Sequence, residues 1–341
     1  MSKGSRRQVT LEDVARLAGV SASTVSRSLS MPHMVRASVR ESVLWAVSRL
    51  GYVPHGAARA LARRRNATIG VIIPSLRFTV FADLVESLQA ELGAAGYSVL
   101  LGHAGSDLRY EADQATALLS RGIDALVLVG NAHDQSLERM ATNTGIPVVT
   151  TFDYRLDAPY PCVGIDNQAA GRALVDHLLD LGHTRIAALM PDERFNDRAA
   201  RRLAGVRGAL ADRGLALHPQ HLVLGDGAAE VGRAAMAELL GREPSPSAVV
   251  CFSDLVAIGA VVECRARAVS VPGAVSVAGF SGIGLAELTH PAITTVSFSA
   301  VDIGREAARL VLDRLDGDGQ APSVEVPHRL EQRASTAAPG P

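Results

Sequence analysis

A chain of 341 residues, 48% hydrophobic and 20% charged, has material for two or three globular domains at roughly 150 residues each. It contains no run of 18 apolar residues, which excludes an ordinary membrane-spanning helix, and its basic N-terminal stretch lacks the apolar segment of a secretory leader. The net charge of −1 hides an asymmetry: residues 1–66 carry twelve Lys/Arg against three Asp/Glu, and the remaining residues carry 22 against 32.

A basic head ahead of an acidic body suits a nucleic-acid-binding module fused to a regulatory domain; a solvated basic tail is the plain alternative. Leu11, Val14, Ala15 and Ala18 share one helical face. Thr10 is placed to cap that helix, Glu12 and Asp13 fall in its first turn, and Gly19 can end it. Ser21 then caps a second helix with Val25 and Leu29 facing inward. Its outward positions are Ala22, Ser23, Ser26, Arg27 and Ser30, small side chains and one arginine, a surface that can enter a DNA major groove. A third helix, about 38–50, offers Val39, Val43, Val47 and Leu50 to close the small core, together with Trp45. After Tyr52-Val53-Pro54, the stretch Ala57–Arg65 is rich in helix formers and arginine. It is shorter than the roughly 12 residues at which an isolated helix becomes stable, so we expect a helix that forms only with DNA to pack on.

These residues resemble the LacI/GalR family of repressors. The likeness rests on V-T-L-E-D-V-A-R-L-A-G-V-S-x-S-T-V-S-R-x-L at 9–29, on L-G-Y-x-P and A-A-R-A-L, and on T-I-G-V-I-I-P at 68–74, and it extends over nearly the whole chain. It implies an α/β protein: an all-α helix-turn-helix head (8–54), a hinge helix (55–67), and a two-subdomain core with parallel sheets like that of periplasmic binding proteins (68–335). It also implies a cytoplasmic homodimer, or a higher oligomer, on double-stranded palindromic operator DNA, with a small-molecule effector and no cofactor, metal or membrane. By position, Thr10, Ala22, Ser23, Thr24, Ser26, Arg27 and Arg59 fall where the family contacts DNA. Leu61 falls on the hinge leucine that wedges into the minor groove, or else packs the dimer. One departure is Arg36, which stands where the family caps its third helix with Ser or Thr, leaving the start of that helix open.

From Thr68, apolar runs alternate with amphipathic stretches. Strand candidates at 69–73, 98–101, 125–129 and 148–150 are followed by a second set at 186–189, 222–224, 248–252 and 275–279. Helices are expected near 80–95, 110–121, 134–143, 167–181, 198–213, 229–240 and 254–267. This alternation means parallel sheets covered by helices, in two similar halves with ligands at the carboxyl ends of strands. Residues 162–166 and 294–297 look like crossings between the halves.

Catalytic signals are sparse. Lys3 is the only lysine, which removes P-loop and Schiff-base chemistry. Gly279–Gly284 lacks the third glycine of a phosphate-binding turn, and Ser281 is not in GxSxG. His218 and His221 have no carboxylate nearby in the loop, and His177 and His183 are read as partners of helix-end carbonyls. Cys162, Cys251 and Cys264 form no CxxC pair and read as buried thiols. A regulator is therefore expected, ahead of an enzyme or an exported solute-binding protein.

The resemblance places Phe81, Asp153, Asn196, Arg198, Arg202, Asp254 and Ser281 near the ligand. Arg202 is expected to hold ligand oxygens with its planar fork; Asp254 either accepts from ligand hydroxyls or only caps the helix after it. Where purine- and sugar-binding relatives carry an aromatic platform, Leu224-Gly225-Asp226-Gly227 has a glycine. Phe81 is the candidate replacement from the opposite wall, and the expected effector is a sugar or sugar acid.

Overall fold

The structure is a computed structural model and describes residues 9–31, 34–53, 65–192, 196–225, 227–317 and 322–340. Two compact units divide at Ala67/Thr68.

The first unit holds α1 (Leu11–Ala18), α2 (Ala22–Ser30) and α3 (Ala37–Leu50). Thr10 and Asp13 form a capping box: the hydroxyl accepts from the Asp13 N–H at 3.3 Å, and the Asp13 carboxylate accepts from the Thr10 N–H at 3.0 Å. Two donors at the helix start are thus satisfied reciprocally. Gly19, at φ 68°, ends α1, and the Ser21 hydroxyl accepts from the Thr24 N–H to start α2. Arg36 is extended and gives α3 no side-chain cap, so α3 begins at Ala37.

The core of this unit is Val14, Ala15, Val25, Val43, Ala46 and Tyr52. Trp45 does not join it and is 57% exposed. At about 100° per residue, positions 43, 46, 47 and 50 share the inner face of α3, and position 45 falls on the outer one. Gly51, at φ 62°, turns the chain so that the Tyr52 N–H reaches the Val47 carbonyl, and Tyr52 supplies the buried aromatic ring.

The second unit is two six-stranded sheets. The first orders its strands β11-β5-β4-β3-β1-β2: β1 (Thr68–Ile73), β2 (Ser98–His103), β3 (Ala125–Val129), β4 (Val148–Thr151), β5 (Cys162–Gly164) and β11 (Val324–Glu325), all parallel. The other orders β12-β10-β9-β8-β6-β7: β6 (Ile186–Met190), β7 (Leu222–Leu224), β8 (Ala248–Cys251), β9 (Ser276–Ser281), β10 (Thr294–Phe298) and β12 (His328–Glu331). Only β12 is antiparallel to its neighbour. Setting aside β11 and β12, the same topology occurs twice.

The helices between these strands are α4 (Thr79–Ala94), α5 (Leu108–Ser120), α6 (Gln135–Thr144), α7 (Asn167–Asp180), α8 (Asp197–Asp212), α9 (Ala229–Leu239), α10 (Asp254–Ala266), α11 (Gly284–Leu288) and α12 (Ala300–Leu315). Alternate residues of β1 feed different cores. Ile69, Val71 and Ile73 join Leu84, Leu88 and Ile303, while Ile72 packs with Ala115, Leu118 and Leu137. That is the signature of a strand buried on both faces.

The chain passes between the halves after β5, after β10 and between β11 and β12. The two stretches expected to be crossings contain strands, β5 and β10, each one place in from the edge of its sheet, and the passages lie just beyond them. Helix α12 was not anticipated. Its Ser299 cap and buried Ile303, Gly304, Ala307 and Val311 mark a helical face, but alanine and glycine make that face weakly apolar in sequence.

Candidate DNA-reading helix and inter-sheet cleft

In α2 the buried Val25 faces the head core, while Ser23, Ser26 and Arg27 are exposed and Ala22 and Thr24 half-buried. The Ser21 hydroxyl lies 2.8 Å from those of both Ser23 and Thr24, fixing them at the N-terminal turn. A shallow polar ridge with one guanidinium results, suited to base edges. Thr10 is half-buried and occupied by its capping box. Arg59 and Leu61 lie outside the described residues, as do 55–64 of the expected hinge.

In the second unit the strand order reverses between β1 and β3 and again between β6 and β8. Ligands of open parallel sheets bind outside the carboxyl ends of strands at such switch points. The residues that follow these four strands therefore define the candidate cleft.

Asp153 is its polar centre and is fully buried. Its Oδ1 accepts from Asn167 Nδ2 at 2.8 Å and from Arg201 Nη1 at 3.0 Å; its Oδ2 accepts from Asn131 Nδ2 at 3.1 Å. Burial pushes the Asp153 carboxyl above the ordinary carboxylate value, against the pull of Asn167 and Arg201. Gly164 makes this packing possible, because a Cβ there would stand 2.3 Å from the Asp153 nitrogen. Arg201 also donates to the Tyr154 carbonyl and to Asp166.

Two further side chains from the first turn of α8 reach the end of β3. Asp197 Oδ2 accepts from the backbone N–H groups of Asn131 and Ala132 at 2.6 and 3.1 Å. Arg198 Nη1 donates to the Val129 carbonyl at 3.1 Å and to Asp197 Oδ1 at 3.0 Å. Asn196 caps α8 by accepting from the Ala199 N–H.

Arg202 lies one turn further on. Its Nε donates to Asn167 Oδ1 at 2.8 Å and its Nη1 to the Phe252 carbonyl at 3.1 Å. The guanidinium carbon stands 3.9 Å from the centre of the Phe280 ring. Burial, with Arg198 close by, pulls its pKa down to about 9. Helices α7 and α8 approach closely enough to hold it only because Gly205 has no side chain: a Cβ there would meet the Gln168 carbonyl at 2.0 Å.

Asp254 is buried with both oxygens turned into the protein. Oδ1 accepts from the Thr295 hydroxyl at 2.7 Å and Oδ2 from the Ile283 N–H at 2.9 Å. Ser253, not Asp254, caps α10. Burial raises the Asp254 carboxyl above its ordinary value, with Thr295 opposing. Ser281 is half-buried at a strained φ of 117°.

Of the seven phenylalanines in the sequence, six gather here. Ring centres run from Phe78 to Phe81 (6.1 Å), Phe152 (5.1 Å), Phe298 (6.1 Å) and Phe280 (5.9 Å), and Phe252 stands 6.0 Å from the Arg202 guanidinium. Phe81 is buried within this chain of rings. The ring that meets Gly227 is Phe78 instead: a Cβ on that glycine would stand 2.6 Å from its Cζ.

Of the residues named from sequence, Asp153, Arg198, Arg202 and Phe81 lie in this cluster; Asn131, Asn167, Asp197, Arg201, Phe78 and Phe280 lie there too and were not named. Asn131 follows β3 by two residues, the position that the switch-point rule singles out, and Asn167 follows β5 by three. Elsewhere, His177 and His183 were misread. They bind the C-terminal segment, His177 through Thr336 and His183 through the Ala337 carbonyl. All three cysteines are buried free thiols.

A helix-turn-helix head joined in one chain to a two-sheet α/β body with a polar cleft is the make-up of a ligand-controlled DNA-binding regulator. Residues 10–55 match the bacterial regulatory proteins of the lacI family, and residues 66–334 match the periplasmic binding proteins and sugar-binding domain of the LacI family. The chain belongs to the LacI family of bacterial transcriptional regulators. It is 32% identical to the HTH-type transcriptional repressor CytR of Escherichia coli (strain K12), over 93% of this chain and 92% of that one. The lac repressor dimer bound to operator and the anti-inducer ONPF aligns with a TM-score of 0.86 at 26% identity, over 97% of this chain and 100% of that one. The transcriptional regulator CelR in complex with cellobiose aligns with a TM-score of 0.70 at 31% identity, over 96% and 100%.

Proposed function

We propose that two copies of this chain bind a palindromic operator and repress the adjoining genes, and that a small hydroxylated metabolite in the cleft of each copy controls that binding. The observation that carries the DNA half is the exposed stripe of Ser23, Ser26 and Arg27 on a helix anchored by Val25. Ala22, Thr24 and Thr10 flank it, and Arg59 and Leu61 take the hinge roles that the resemblance implies. The dimeric lac repressor on its operator supports the two-fold geometry.

For the effector half, the support is a cleft at two switch points with Arg198, Arg202, Asp153 and Asn131 around it, and the cellobiose complex of CelR. Phe81, Asn196, Asp254 and Ser281 complete our assignment, with Asp254 and Asn196 shaping the walls through the bonds already described. The domains divide as 8–54, 55–67 and 68–335. We read the protein as non-catalytic and cytoplasmic; among the described residues no helix is long and apolar enough to cross a membrane.

A gel-shift assay on fragments of the source genome, repeated with a panel of sugars and sugar acids, tests this reading. We expect a few fragments to be retained at salt concentrations that release the rest, and at least one compound to change that retention. Uniform retention of all fragments would overturn it.

A further inference from the structure

The first turns of α8 carry three arginines toward the cleft, and their counter-charges are unequal. Arg198 pairs with Asp197 and Arg201 with Asp153 and Asp166. Arg202 has no carboxylate within ion-pair distance among the described residues. Its bonds go to two neutral oxygens, on Asn167 and Phe252, and its Nη2 donates to no group among the described residues. Phe280 covers one face and Phe252 stands near. The acid whose charge most offsets it, Asp153, has its oxygens committed to Asn131, Asn167 and Arg201.

A guanidinium keeps its proton at any physiological pH, and a cation in such surroundings is costly unless an opposite charge meets it. Burial already draws this one down to about 9. Building on the effector reading, we propose that the cleft ligand is a monoanion whose carboxylate docks on the Nη2 side of Arg202. One negative charge balances the one of these three arginines that has no carboxylate partner among the described residues. A phosphate dianion would leave an excess charge beside Asp153 and Asp197. The aromatic wall and planar fork favour a flat carboxylate, which can take parallel N–H···O bonds.

The test follows the Arg202 Nε–Hε signal by NMR in the full chain, titrated at constant ionic strength with acetate, acetamide or inorganic phosphate. We expect a saturable shift with acetate, little with acetamide, weaker binding of phosphate, and no movement of the Arg201 signal. No shift with acetate, or an equal one with acetamide, overturns the proposal. In parallel, thermal-shift assays compare D-gluconate with D-glucitol and D-glucuronate with D-glucose. At least one acid should stabilise the protein more than its neutral partner, with most of that difference lost in Arg202→Met and part kept in Arg202→Lys. A neutral sugar that stabilises wild type and Arg202→Met alike, and releases DNA, overturns the anion while leaving the effector reading intact. Saturable acetate binding with no compound altering DNA retention overturns the effector reading while leaving the anion site.

Discussion

The ring of Phe78, at the start of α4, fills the space that a side chain on Gly227 would need, with its Cζ 2.6 Å and its Cε1 2.7 Å from the position of a Cβ. The two residues come from opposite sheets of the body. Gly227 does not require a left-handed backbone, and the three nearest atoms that an alanine Cβ would meet all belong to the ring. We expect Gly227→Ala to destabilise the body by about 1–3 kcal/mol, the usual cost of overpacking. In Phe78→Ala/Gly227→Ala the second cost should largely vanish, giving a coupling of at least about 0.5 kcal/mol in urea unfolding. Additive losses would mean that the ring does not pack on the glycine.

His183 ties the C-terminal segment to the second half of the body. Its Nε2 lies 2.8 Å from the Ala337 carbonyl and its Nδ1 2.9 Å from the Ser247 hydroxyl. Burial holds its pKa below the ordinary imidazole value, with the Ala337 bond opposing. A histidine depressed in the folded state takes up protons more readily when unfolded. Its stabilising contribution is therefore complete above about pH 6.5 and is lost as pH falls from there through the folded value. His177 acts in the same direction, through burial. Stability should fall between pH 7 and pH 5, and less steeply in His183→Asn. An unchanged slope in that variant would contradict the assignment.

Trp45 is the only tryptophan and stands on the outer face of α3. Acrylamide should quench its fluorescence nearly as well in the folded protein as in urea, and Trp45→Phe should change stability by less than about 0.5 kcal/mol. Val43→Ala, two residues away and fully buried, should cost about 2–3 kcal/mol from two methyl groups and the cavity they leave. A shielded Trp45 would reverse the orientation of α3.

These residues also show what a sequence makes legible. The head was readable because caps and glycines are local devices: Thr10, Gly19, Ser21 and Val25 lie where their spacing puts them. Trp45 was misplaced because size was allowed to outweigh helical phase. In the body, parallel strands such as Ala125–Val129 are continuous apolar runs and stand out, whereas the three-residue β5 reads as a loop. The cleft was half legible. Arg202 and Asp153 came from matching a family pattern, but Asn131, Asn167 and Arg201 act only because the fold brings them together over 34 to 70 positions of sequence. Asparagines after strands look like turn residues until the topology shows where those turns point. Phe78 is three residues from Phe81, and only the direction of the chain entering α4 decides which ring meets Gly227.

We propose for Leu61 the hinge role that the resemblance implies, opening the minor groove at the centre of the operator. Leu61→Ala should weaken operator binding by about 1–3 kcal/mol per subunit, the scale of the DNA deformation it supports. Salt-dependent binding to random DNA should stay nearly unchanged. Equal losses on both DNAs would assign Leu61 to dimer packing instead.

The central claim is that α2 reads bases from a two-fold dimer. It is tested most directly by selecting DNA from a random library with the full chain and measuring wild type and Arg27→Ala on the selected sequences. The account predicts that the recovered sites share a palindrome. It also predicts that Arg27→Ala loses about 1–3 kcal/mol per half-site on them while binding unselected DNA almost as well as wild type. Selected sequences with no two-fold symmetry, or an Arg27→Ala variant that still discriminates them as wild type does, would contradict it.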